Sequence, residues 1–331
     1  MPINLSGKSF GTDKNKLAFE TGSTSSNTNV SSNNEPVSKR STWIPVPPKY
    51  SFDDLILDDK TQEALLDAAS VYKYHEKIMD EWGLADRFGD RINYSINLYG
   101  ESGTGKTMAA HAIAREMNKQ VIFVDYAEIE SKYVGETAKN IKQLFDTAAK
   151  LDAAIIFDEA DALLSRRVTD MRSASDVSVN QTRSVLLNIL NEYTGVVIFT
   201  TNFIQNFDPA FIRRIRYQIK FELPNEELRA KLWRMYIPRR MPADVDIPQM
   251  AAKYCNISGS DISNAVFTAA LKATRLGSEC VSQSYFEAAI EQIILAKEAN
   301  TEHSSITVTK RVVTEDYVKE QLGDRFPEDK E

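Results

Sequence analysis

The sequence predicts an α/β protein: a doubly wound parallel sheet followed by a small all-α lid domain. Three observations carry that prediction. Strand and helix patterns alternate from Tyr94 to Leu223, as they do where helices cover both faces of a parallel sheet. A glycine-rich turn, Gly100 to Thr107, joins the first of these strands to an alanine-rich helix. Past Pro224 only helical patterns remain.

The elements follow in chain order. Residues 1–42 are polar, and from Thr21 to Asn34 nearly every residue is Ser, Thr, Asn or Gly. Such a stretch cannot bury enough apolar surface to offset its ordering entropy, so it reads as a disordered arm. A tether, a substrate-capture segment and a plain tail are all open for it. Trp43-Ile44-Pro45-Val46-Pro47-Pro48 reads as extended, because a residue before proline avoids the α region. Asp58 or Asp59 is placed to cap a helix over Thr61 to Trp82. Strands are predicted at 94–99, 121–125, 154–158, 196–200 and 218–222, with helices between them, giving an α/β domain over 43–223. Helices at Glu226–Tyr236, Pro248–Tyr254, Ser260–Leu276 and Gln283–Lys297 give a lid over 224–299. The charged segment 300–331 holds a short strand pattern, Thr307 to Val313, and a short helix pattern, Thr314 to Gln321.

Composition narrows the function. The chain has 331 residues and a net charge of −7, which argues against duplex nucleic acid as the main ligand, since phosphate binding needs a cationic face. Cys255 and Cys280 have no metal-site spacing and read as reduced thiols in a cytoplasmic protein. His75, His111 and His303 are scattered and suggest no zinc site. No apolar run approaches the ~20 residues that a membrane-spanning helix needs.

The chemistry lies in two motifs. Gly100-Glu101-Ser102-Gly103-Thr104-Gly105-Lys106-Thr107 fills every fixed position of G-x-x-x-x-G-K-[ST]. Its glycines let successive N–H groups turn inward and cradle phosphate oxygens. Lys106 can reach the β- and γ-phosphates, and the Thr107 hydroxyl can meet Mg²⁺. The turn opens a helix, whose N-terminus favours an anion. Downstream, Ala153-Ala154-Ile155-Ile156-Phe157 reads as a buried parallel strand and ends in Asp158-Glu159. Ligands of open α/β sheets bind at the carboxyl ends of strands. There Asp158 can hold Mg²⁺ and Glu159 can act as general base on the attacking water. The expected cofactors are ATP and Mg²⁺.

From Tyr50 to about Ala296 the chain resembles the AAA ATPases, and in particular the clade of protein-remodelling machines. Asp158-Glu159-Ala160-Asp161-Ala162-Leu163 is similar to that clade's extended acidic motif. Ser131-Lys132-Tyr133-Val134-Gly135-Glu136 resembles its first pore loop. The resemblance implies that Lys132, Tyr133 and Val134 face a central pore, with Tyr133 gripping unfolded polypeptide. Asn202, ending Thr200-Thr201-Asn202, resembles the residue that bonds the γ-phosphate or the attacking water. Asp208-Pro209-Ala210-Phe211-Ile212-Arg213-Arg214-Ile215-Arg216 resembles the segment whose arginines, here Arg213 and Arg216, reach a neighbour's γ-phosphate. That implies a ring, expected to be a homohexamer. Ser258-Gly259-Ser260-Asp261-Ile262 resembles the start of the lid helix beside the nucleotide. Gly259 and Ser260 stand where many relatives carry a phosphate-contacting arginine.

The implied function is an ATP-driven protein remodeller. Among machines of this size the chain resembles the bacterial pachytene-checkpoint-type ATPases that unfold HORMA-domain partners in anti-phage signalling, although eukaryotic members of that group keep the lid arginine. Two alternatives stay open: a loader-type ATPase acting on nucleic acid, and a nucleotide-dependent scaffold with little turnover. The Tyr133 loop disfavours the first and Glu159 the second.

Overall fold

The structure is a computed structural model and describes residues 43–88, 93–125, 136–165, 174–202 and 207–304. The polar arm 1–42, the loop carrying Lys132, Tyr133 and Val134, and the strand and helix patterns past 304 lie outside the described residues.

Five parallel strands form the sheet: β1 (Tyr94–Gly100), β2 (Val121–Asp125), β3 (Ala154–Asp158), β4 (Val196–Thr201) and β5 (Tyr217–Phe221). Their order is β2-β3-β4-β1-β5. The chain therefore leaves β1 for the far edge at β2 and returns strand by strand, so that β4 comes to lie beside β1. The carboxyl ends of β1, β3 and β4 meet at that change of direction, where open α/β sheets bind ligands.

Successive residues of β3 and β4 feed opposite cores. Ile155, Phe157, Val197 and Phe199 join one, and Ala154, Ile156, Val196 and Ile198 join the other. This period of two follows from the pleat, and burial on both faces explains why these strands read as unbroken apolar runs. Helices α1 (Asp59–Lys73), α2 (Ala85–Phe88) and α3 (Lys106–Glu116) precede β2 in the chain. Leu65 of α1 and Ile113 of α3 help close the second core. Beyond β2 come α4 (Glu136–Lys150), α5 (Asp161–Leu164), α6 (Ala174–Glu192) and α7 (Pro209–Ile212). Leu144 of α4 and Leu186 of α6 close the first core, and within it the Phe157 and Phe199 rings stack 5.3 Å apart.

The lid comprises α8 (Glu226–Tyr236), α9 (Ile247–Lys253), α10 (Gly259–Arg275) and α11 (Gln283–Ser304). It has its own core, in which Trp233 meets Phe286 edge to face. It also contains a feature too short for periodicity to reveal: β6 (Ala243–Asp244) pairs in parallel with β7 (Val281–Ser282). Helix α11 runs through the expected boundary near residue 299.

The helix expected over Thr61–Trp82 is interrupted. Helix α1 ends at Lys73, and the chain resumes as a π-helical stretch, Lys77–Glu81, whose Met79 is buried in the second core. No glycine or proline marks the interruption. Asp58 is the cap, accepting from the Thr61 N–H at 2.9 Å. The histidines are structural where described. His75 Nδ1 bonds Tyr94 Oη at 2.7 Å, and His111 stacks on Phe123. Cys255 and Cys280 are free and exposed. Among the described residues no helix is long and apolar enough to cross a membrane.

Phe199→Ala removes one ring of the stacked pair at a fully buried position. It is expected to cost ~3–5 kcal/mol of unfolding free energy in a denaturant melt. A loss under ~1 kcal/mol would show that the first core does not depend on this contact.

Candidate functional site

The loop Gly100 to Thr107 leaves the carboxyl end of β1 and opens α3. Two of its glycines are demanded by close approach. A side chain at Gly100 would meet the Phe221 carbonyl oxygen at 2.0 Å, and one at Gly103 would meet Ser258 Oγ at 2.6 Å. Both also have positive φ, 140° and 74°, where L side chains are strained. The first contact seats the loop on β5. The second seats it against the lid, where the Ser260 N–H donates to the Gly103 carbonyl at 3.2 Å.

Lys106 is buried, and its ammonium donates to the carbonyls of Gly100 at 2.9 Å and Glu101 at 2.7 Å. Burial pulls its pKa below the usual lysine value, against the opposing pull of Asp161 and Asp158. An anion at the loop would favour the charged form, which suits the residue to phosphate. Thr104 steadies the turn by donating from Oγ1 to the Glu101 carbonyl at 2.8 Å.

The acidic pair ends β3, next to β4. Thr107 Oγ1 donates to Asp158 Oδ1 at 2.9 Å, and Thr200 Oγ1 donates to the same oxygen. The Thr200 hydroxyl also accepts from the Glu159 N–H at 3.2 Å, and the Thr200 carbonyl accepts from the Ala160 N–H at 2.9 Å. Glu159 has φ 49°, an uncommon left-handed setting for a residue with a side chain and one that recurs at functional sites. The turn leaves its carboxylate exposed beside the loop. Asn202 stands one residue past β4, its N–H donating to both carboxylate oxygens of Asp161 at 3.1 and 3.3 Å. Oxygen donors of this kind, a hydroxyl and a carboxylate, suit Mg²⁺, a hard cation that keeps several waters. Thr107 and Asp158 are the residues that would hold it, and its charge would offset that of the phosphates.

A cleft beside the loop completes the site. It is lined by Leu57 of the entry segment, Met108 of α3, Pro224, Tyr236 of α8, and Gly259 and Ser260 of α10. Apolar walls next to a phosphate cradle are what a nucleoside requires.

Arg213 and Arg216 are not brought to this place. Arg213 caps α7, Arg216 precedes β5, and both are exposed. Residue 221 of β5 is the one level with Gly100, so roughly 16 Å of strand separates Arg216 from the loop's level. The opposite amino end of the sheet carries both arginines. Thr200 and Asp161 are the site residues that sequence reasoning did not single out. Their signal was a hydroxyl at the end of an apolar strand and a third acid two residues past the pair.

The family described as "ATPase family associated with various cellular activities (AAA)" matches residues 96–225, the span from β1 to the lid linker that builds this site. The chain carries an AAA ATPase domain. ATP and Mg²⁺ are its cofactors, and ATP hydrolysis is its reaction. The chain is 30% identical over 253 residues to ATP-dependent zinc metalloprotease FtsH 3 of Sphaerobacter thermophilus, covering 75% of this chain and 50% of that protein. It is 29% identical over 265 residues to proteasome-activating nucleotidase 2 of Haloferax volcanii, covering 77% and 62%. Against the proteasome-activating nucleotidase of Methanopyrus kandleri it is 31% identical over 260 residues, covering 76% and 58%. The chain thus spans between half and two thirds of the length of these relatives. His75, His111 and His303 cannot form the H-E-x-x-H pair of a zinc peptidase, and the described residues hold no cluster suited to a metal through His, Cys, Asp and Glu.

Thr200→Val keeps the shape of the AAA domain's β4 end and removes the hydroxyl that serves Asp158 and Glu159. The Glu159 N–H is left without that acceptor, at a cost of ~1–3 kcal/mol. Turnover is expected to fall and to require more Mg²⁺ at half-saturation. An ATPase assay titrated with Mg²⁺ checks this, and a curve unchanged from wild type would remove Thr200 from the site.

Proposed function

We propose that the chain is an ATP-driven protein remodeller that works as a homo-oligomeric ring, expected to be a hexamer. Gly100 to Thr107 hold the triphosphate, with Gly259 and Ser260 closing the lid side. Thr107 and Asp158 hold Mg²⁺. Glu159 takes a proton from the attacking water, and Asn202 orients that water or the γ-phosphate. Arg213 and Arg216 complete the site of the next subunit. Here they stand in for the lid arginine that Gly259 and Ser260 replace.

The placement of the two arginines is the observation that carries this reading. They are exposed at the amino end of β5, while the loop they would serve lies at its carboxyl end. A cation there serves another molecule more readily than its own site. Arginines supplied in trans contribute on the order of 10³–10⁵ in rate in GTPases. Each subunit would then offer a site on one side and a finger on the other. Contacts of that head-to-tail kind close into rings.

A polypeptide substrate is supported by the Lys132-Tyr133-Val134 sequence and by relatives named as a protease and as proteasome activators. An aromatic side chain can grip many residues without sequence preference. Within that class the resemblance to HORMA-unfolding machines of anti-phage signalling supplies the finer candidate, a folded HORMA-domain partner.

Mixing subunits tests the ring. Arg213→Ala alone should turn over slowly, and so should Lys106→Ala. Mixtures should gain activity at interfaces that pair an intact loop with an intact finger from a different chain. Rates that simply add across mixing ratios, with subunit exchange shown, would contradict the trans role.

Tyr133→Ala tests the substrate. Basal ATP hydrolysis should persist, while remodelling of a HORMA-domain protein, or of an unstructured test protein, is lost. Truncating a buried aromatic anchor costs ~2 kcal/mol or more, and loops acting together multiply the loss. Full remodelling by the variant would exclude pore threading. Activity on the test protein alone would keep the remodeller and discard the HORMA partner.

A further inference from the structure

Strand β1 differs from its neighbours on one face. Tyr94, Ile96 and Leu98 feed the core beneath α1 and α3. Ser95 and Asn97 point the other way, and neither has any exposed surface. On that same face β3 and β4 present Ile155, Phe157, Val197 and Phe199. A buried hydroxyl or amide is costly unless its hydrogen bonds are made, so two in one strand require specific partners.

For Ser95 those partners are the backbone of the arginine segment, and for Asn97 they are side chains of β5 and β4. Ser95 Oγ donates to the Arg214 carbonyl at 3.1 Å and accepts from the Arg216 N–H at 3.1 Å. One hydroxyl thereby clasps the backbone on both sides of Ile215. Asn93 Nδ2 adds donors to the carbonyls of Leu190 at 2.6 Å and Arg214 at 3.3 Å. Asn97 Nδ2 donates to Gln218 Oε1 of β5 at 2.9 Å, and Asn97 Oδ1 accepts from Thr201 Oγ1 of β4 at 3.3 Å. Thr201 lies between Thr200, which bonds Asp158, and Asn202. The Arg214 side chain is itself tied down, donating to Asn191 Oδ1 at 2.7 Å and to the Ala210 carbonyl at 3.0 Å. The backbone between α7 and β5 is therefore held to a central strand, while the Arg213 and Arg216 side chains face outward.

We propose that Ser95 and Asn97 are positioning residues for the arginines that serve the neighbouring subunit. Ser95 anchors the backbone at Arg214 and Arg216 to the strand that feeds the phosphate loop. Asn97 supports it through Gln218, whose amide donates to the Ile215 carbonyl at 3.5 Å, and joins it to Thr201 at the end of β4 that carries Thr200 and Asn202. An apolar strand face would pack as well but would leave this irregular segment free to shift. The link also gives a route by which events at a subunit's own γ-phosphate reach the arginines it offers to the next. A buried, fully bonded network is suited to that, because it admits few arrangements. The inference rests on the trans reading of Arg213.

The test uses Ser95→Ala and Asn97→Leu, each alone and mixed with excess Lys106→Ala subunits, with Arg213→Ala run in parallel. Alone, each variant should bind a fluorescent ATP analogue within about twofold of wild type and turn over about tenfold more slowly or worse, since ångström-scale misplacement costs up to about 100-fold. Mixed, turnover per intact phosphate loop should recover to within about threefold of wild type mixed in the same way, because each hybrid interface supplies an undisturbed finger. A subunit that had merely lost stability would not regain turnover from a neighbour with a dead site, and thermal melts of each variant read stability directly. Wild-type turnover of both variants alone would overturn the proposal. So would a loss that mixing fails to restore while Arg213→Ala is restored. If Arg213→Ala is not restored either, the trans reading falls and this inference falls with it. Should Ser95→Ala fail to fold, Asn97→Leu carries the same comparison.

Discussion

One oxygen of Asp158 accepts from Thr107 of the phosphate loop and from Thr200 of β4. This shared carboxylate ties the start of α3, the end of β3 and the end of β4 into one rigid corner, and the chemistry is arranged around it. Thr107 follows the lysine, so the loop cannot drift from the acid pair. Thr200 in turn holds the Glu159 N–H, which fixes the left-handed turn that exposes the Glu159 carboxylate. The sheet order makes the corner possible, because it brings β4 between β3 and β1.

On the proposed reading, the corner serves binding, and reaction needs a further cation. It provides a cradle for phosphate, oxygen donors for Mg²⁺ and a carboxylate positioned as base. Among the described residues it holds no arginine for the charge that develops on a transferred phosphoryl group. The exposed cations that fit that role stand at the other end of β5, on a segment clasped by Ser95. In the proposed ring, hydrolysis by this domain would be a property of an interface between subunits, to which work on a polypeptide could be coupled.

Much of this was legible in the residues. The apolar runs of β2 and β3 fall on their expected limits, β3 buried on both faces and β2 buried except at Phe123, while the other strands differ from expectation by a residue at one or both ends. The octapeptide and Asp158-Glu159 announce the site because phosphate and Mg²⁺ chemistry tolerates few substitutes. What escaped depends on tertiary partners. The alternation of Ser95 and Asn97 with Ile96 and Leu98 is the pattern of a strand with one wet face, yet that face is fully buried, its polar groups taken up by the arginine segment, Gln218 and Thr201. The break after Lys73 has no glycine or proline to mark it. Thr200 reads as an ordinary β-branched strand residue until Asp158 is placed beside it. The ladder of β6 and β7 is too short to leave any period.

The central claim is that one subunit's site is finished by the next. It is tested most directly by ATP turnover per subunit measured over a wide dilution series, with assembly followed on the same samples by light scattering. The account predicts that specific activity falls steeply as the assembly dissociates, while nucleotide affinity stays near that of the assembled protein. Specific activity that remains constant through dissociation to single subunits would contradict it.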